Sequence, residues 1–179
     1  MPVRRGRPRT ILPAVRDPRL VTARRGGLLS DDDHRALALW AAACAEHVLP
    51  LFESSVPSDA RPREAIDGIG AWVRGELPMM ETRALGGHAM GAARPLRGAA
   101  RFAAYAAGQA ACVAHVAEHE LGAAAYAIKA VRAAAPSSSA AAAAYAENDW
   151  QREQLPDSVR ALVLEDQHRR NSICWYVFE

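Results

Sequence analysis

Lysine is almost missing from this chain: Lys129 stands alone beside 21 arginines. With 40 alanines in 179 residues, that skew reads as the signature of a GC-rich coding sequence and carries no functional message. Cysteine is scarce as well. Cys44, Cys112 and Cys174 are odd in number, far apart and without a CxxC pair, which excludes a disulfide framework and reads as buried thiols in a reducing compartment. No uninterrupted run of 18 apolar residues occurs, so no membrane-spanning helix and no membrane partner is expected. The arginine-rich start is not followed by the apolar core of a secretory signal, and the expected location is the cytoplasm. The chain has no GxxxxGK[ST] loop, no GxSxG elbow and no recognisable cysteine nucleophile motif, and Gly68-x-Gly70 falls inside a helical pattern. Catalysis therefore has no positive support, and neither an enzyme nor a cofactor is expected.

What the chain has in excess is alanine. Residues 99–146 hold 24 of them, half of that span. Alanine loses no side-chain entropy in a helix and is the best helix former. Phe102, Tyr105, Cys112, Val116 and His119, then Leu121, Ala125, Ile128 and Val131, recur at helical spacing. The spacing predicts two consecutive helices over Ala99 to Ala135, meeting near Leu121-Gly122. A surface of Ala and Gly108 lets neighbours approach near the short end of the usual ~8–10 Å, which places this pair at the centre of the fold.

The remainder reads as further helices. Residues 1–20 carry four prolines and six arginines and are expected to form a disordered arm ahead of a domain over 21–179. Ser30 or Asp31 caps a helix whose buried face holds Trp40, Cys44, His47, Val48 and Leu51, with Pro50 kinking or ending it. Asp59 is a cap and Pro62 a first-turn proline for a helix with Ile66, Ile69 and Val73 inside. Pro78 to Arg94 is a weaker helix, kinked at Gly86-Gly87. A helix over 140–154 and one after Pro156, with Val159, Leu162, Val163 and Asp166 on one side, complete the set. The apolar end, Ile173 to Phe178, should dock on the body. The fold class is all-α: one compact helical bundle or array of about six to eight helices with Ala-rich helices at its centre.

Charge is uneven. Residues 1–25 hold eight arginines against Asp17, a net +7, which leaves −5 on the rest. The acidic body suits a basic protein partner, because opposite charge speeds encounter. The arm from Arg4 to Arg25 suits nucleic acid, a lower-ranked reading. Small-residue helix faces suit a homodimer as readily as internal packing.

His115 and His119 are four residues apart, which on a helix puts both imidazoles on one face, the spacing of many metal sites. Two ligands are not a site; a third would have to come from His88, His34 or Glu46. The same stripe holds Cys112 and Val116, so the favoured reading is a pair of buried imidazoles, with a metal-binding protein or metal-dependent enzyme as the alternative. Arg61, Arg63, Glu64 and Asp67 form either a recognition surface or a solvated helix face. The four tryptophans, Trp40, Trp72, Trp150 and Trp175, each adjoin an apolar stripe and read as core.

Five blocks together resemble one family: RRGG at 24–27, DHRALALWAAACAEHVLPLFE at 33–53, RPREAI at 61–66, HVAEHELGAAAYAIKAV at 115–131 and WQREQLP at 150–156. In this order and spacing they are similar to the immunity-protein-five-like bacterial immunity proteins of polymorphic toxin systems. The resemblance runs from about Val21 onward. It implies an all-helical cytoplasmic protein that neutralises a cognate toxin by binding it, without a catalytic motif. It also implies that two recurring histidines correspond to His115 and His119. On that reading Arg61, Glu64, His88, His115 and His119 are the candidate binding residues.

Overall fold

Alanine-driven helix formation is what the chain delivers. The structure, a computed structural model, describes residues 11–179. In chain order the helices are α1 (Asp31–Val48), α2 (Pro50–Glu53), α3 (Arg61–Val73), α4 (Met79–Ala93), α5 (Gly98–Cys112), α6 (Glu120–Ala134), α7 (Ala140–Glu153) and α8 (Asp157–Arg170). Among the described residues the only extended pairing is an isolated bridge between Thr22 and Leu29. The fold is an all-α array.

The boundaries follow local chemistry. The Ser30 side chain accepts from the Asp33 amide at 3.1 Å and caps α1, while Asp31, Asp32 and Asp33 fill its first turn at the positive end of the helix dipole. Asp59 accepts from the Arg61 amide at 3.1 Å just before α3, and Pro62 sits in that helix's first turn. Pro50 cannot continue α1 and instead starts the single turn of α2. Together these two span Asp31–Glu53, long and apolar enough to cross a membrane by length and composition. Half of its most apolar 18-residue window is buried inside the fold, and the buried face (Leu37, Trp40, Cys44, Val48) belongs to the core.

α5 is the centre. It packs against α1, α2, α3, α4 and α6, and α6 in turn carries α1 and α7. Ala103, Ala104, Ala106, Ala107, Ala110 and Ala111 of α5 are wholly buried. Methyl groups contribute little area each, so this core relies on close approach. At the α4–α5 crossing the backbones themselves touch: a Cβ on Gly86 would lie 2.7 Å from the Gly108 carbonyl oxygen. α4 is continuous through Gly86-Gly87, and Gly86 is there to let α5 in. Trp40, Phe52, Leu37, Ile69, Leu121 and Ile128 fill what remains, each worth about 1.5–3 kcal/mol on burial.

Three expectations are revised. The central helices do not meet at Leu121-Gly122. α5 stops at Cys112, a turn follows, Val116 is extended, and Ala117–His119 form one 3₁₀ turn before α6 begins at Glu120. His47 is on the rim of α1, not its buried face; it stacks on Trp150 at 3.7 Å and hydrogen-bonds Glu147 at 2.8 Å. Of the four tryptophans Trp40 is in the core and Trp72 and Trp175 pack against it half-buried, whereas Trp150 is half-buried beside His47 and off the core.

The expected disordered arm covers residues 1–20. Residues 1–10 lie outside the described residues. Residues 11–20 lie on the body: Ile11 and Leu20 are buried, Arg16 pairs with Glu118, and Arg19 bridges Asp17 and Glu165. At the other end, Cys174 and Phe178 are buried, and the Asn171 side chain accepts from the Phe178 amide at 3.1 Å. The apolar C-terminus docks as its composition suggests. All three cysteines are free and buried, and burial raises each thiol, Cys112 to about 11 and Cys174 to about 12.

Candidate functional site

The break between α5 and α6 organises the site. A carboxylate at 118 and another at 120 would diverge on a continuous helix. The turn instead sends both inward, where Glu118 and Glu120 are fully buried. Glu118 receives the Arg16 guanidinium, with Nε at 3.0 and 3.1 Å from its two oxygens. Arg170 of α8 donates to Glu120 at 2.9 Å, to Asp166 at 2.6 Å, and to the carbonyls of Glu118 and Ile11 at 3.0 and 3.2 Å. Burial drives the Glu120 carboxyl well above the ordinary range, against the pull of Arg170 and with the push of Asp166. Burial would also raise Asp166, but hydrogen bonds and charge from Arg170 outweigh it, and Asp166 is lowered. Glu120 Oε2 has no hydrogen-bond partner among the described residues.

Outside this anchor the turn borders a cleft of about 400 Å³. One side is the Val21–Leu29 turn, carrying Arg24 and Arg25. Gly26 there has φ 82°, and a Cβ on Gly27 would collide with the Val21 carbonyl oxygen, so only the glycine pair closes this turn. The second side is the start of α1, with Asp31, His34 and Arg35. The third is the end of α3 and start of α4, with Trp72, Leu77, Pro78 and Met79; His115 closes it. His34 Nε2–H donates to the Val113 carbonyl at 2.6 Å, and its ring meets the Trp72 ring edge-on at 4.9 Å. His34 therefore ties α1 to the turn, and burial holds its pKa below the ordinary value.

The charge in the cleft is positive. Arg24 pairs with Asp31 at 3.1 Å and Arg35 with Asp32 at 3.3 Å, both largely in solvent. Arg25 is exposed and has no ion pair among the described residues. Partial burial, then the charges of Arg25, Arg83 and Arg16, push the His115 pKa down.

The candidate residues separate in space. His115 lines the cleft. His119 turns inward: its Nδ1–H donates to Gln109 Oε1 at 2.6 Å, and burial, then His115 and Arg170, push its pKa down to about 4. They do not share a helical face, because the chain between them is not α-helical. Among the described residues no group of three or more His, Cys, Asp or Glu is placed to hold a metal ion. His88 is exposed on α4 and lies off the cleft lining. Arg61 is paired with Asp59 at 2.6 Å, and Glu64 is exposed one helical turn away from it. Arg63 ties α3 to Glu46 and Glu53 at the end of α1 and in α2, a structural task. Sequence reasoning left out Arg35 and Trp72 as binding residues, counted Arg24 and Arg25 only within an arm suited to nucleic acid, and kept His34 only as a distant metal option. The signal was present: RRGG, DHRA and HVAEH are separate blocks that converge on one cavity.

Residues 27–158 match the family model described as Imm-5 like putative immunity protein. No curated protein and no solved structure matches the chain.

Proposed function

This chain belongs to the Imm-5 like putative immunity protein family, and on that premise we propose that it binds and neutralises a cognate bacterial toxin in the cytoplasm, without catalysing a reaction. The observation that carries the reading is the family match, which spans α1 to the start of α8 and so covers most of the helical array. The architecture supports it. The scaffold is close-packed, its thiols are buried and His119 faces inward. The cleft offers arginines and a half-buried tryptophan, residue types that dominate binding energy at protein interfaces.

The test is protection. Cells producing the toxin domain encoded beside this protein should survive when the full chain is co-expressed, and the two purified proteins should form a complex. Cell death at equal expression, with no complex by light scattering, removes the reading.

A further inference from the structure

We propose that the cleft between the Val21–Leu29 turn, the start of α1 and the α5–α6 turn receives an acidic segment of the protein partner, with a carboxylate seated against Arg25 beside His115 and Trp72. This rests on the immunity reading and names the partner's chemistry at that site.

Three observations converge. First, Arg25 is the unneutralised cation of the cleft: Arg24 and Arg35 each share a guanidinium with an aspartate, whereas Arg25 has no such partner among the described residues. A planar guanidinium presents paired N–H donors that match a carboxylate. Second, the site is built. The turn holding Arg25 is fixed by the Gly26–Gly27 pair, and the opposite wall is pinned by His34 to the Val113 carbonyl at 2.6 Å. Third, the positive charge is local. Residues 26–179 carry a net −5. A long polyanion such as nucleic acid would meet that repelling body beyond the cleft, while a short acidic segment would feel the cleft alone, since potentials fade over about 10 Å at ordinary salt. The apolar wall of Trp72 and Met79 suits the aliphatic stem of a glutamate. The partner's acidic loop would dock here even if the rest of the toxin is basic and faces the acidic body.

The experiment uses the full chain and a blocked hexaglutamate peptide, followed by NMR at the Trp72 indole and the His115 ring. Saturable shifts at both, weakened at least about tenfold by Arg25→Glu and unaffected by Arg132→Glu at the end of α6, are expected. No saturable shift, equal loss in both variants, or stronger shifts with a single-stranded oligonucleotide overturns the proposal. So does concentration-dependent self-association that Arg25→Glu abolishes, which would assign the cleft to a second copy. The protection assay separates the two levels. If the wild type protects and Arg25→Glu protects equally, the cleft assignment fails and the immunity reading stands. If the wild type never protects yet the peptide seats at Arg25, the functional reading fails and the carboxylate site stands.

Discussion

Acid should loosen this protein through His119. The imidazole is mostly enclosed, donates to Gln109 Oε1, and has a pKa of about 4 against an ordinary 6.5. The unfolded chain restores the ordinary value, so between these two pH values the unfolded state binds the extra proton. Stability is therefore whole above pH 6.5 and is lost as pH falls toward 4. Two and a half units correspond to roughly 3 kcal/mol, most of it gone by pH 4.5. That is a large share of the ~5–15 kcal/mol that holds a domain folded. His34 and His115 are also pushed down and act in the same sense, and Asp17, Asp59 and Asp166, held low, add losses at more acid pH. His119→Asn isolates the one group, because every other titration is common to both proteins. Urea unfolding followed by circular dichroism at pH 7, 6, 5 and 4.5 should give two lines that converge on acidification by about 2–3 kcal/mol. Parallel lines would refute the reasoning and mean that His119 titrates normally in the folded protein.

Adjacent glycines in α4 should answer oppositely. Gly86→Ala pushes a methyl onto the Gly108 carbonyl and should cost about 1–3 kcal/mol in urea unfolding, whereas Gly87→Ala meets nothing within 4 Å and should gain up to about 1 kcal/mol from helix propensity. Arg170→Met takes the cation from buried Glu120 and leaves Asp166 to Arg169 alone, with an expected loss of about 3–5 kcal/mol by the same measurement; a loss below 1 kcal/mol would show that water reaches the cluster.

The architecture was legible in the sequence because it depends on composition. Alanine density, Ser30, Pro62 and the apolar spacing of Ile66 and Ile69 each act locally, and each appears where expected. The α5–α6 junction was not legible. Propensity alone runs a helix through HVAEH, and what stops it is tertiary: two carboxylates bound for Arg16 and Arg170, some 102 and 50 positions away along the chain. The spacing of His115 and His119 misleads for the same reason, since it is informative only on a continuous helix. The cleft was hidden differently. RRGG and DHRA looked like a turn and a capped helix start, and only their meeting with Trp72 and His115 gives them a shared surface.

The clasp of Arg16 and Arg170 sets a limit on how this protein can be cut. Glu118 and Glu120 fall within residues 27–158, while both guanidiniums that serve them come from outside that span, one from each flank. A polypeptide trimmed to the shared family segment would keep two enclosed acids and lose their counter-charges together. The flanks are thus the keystones of the arch rather than its ornament.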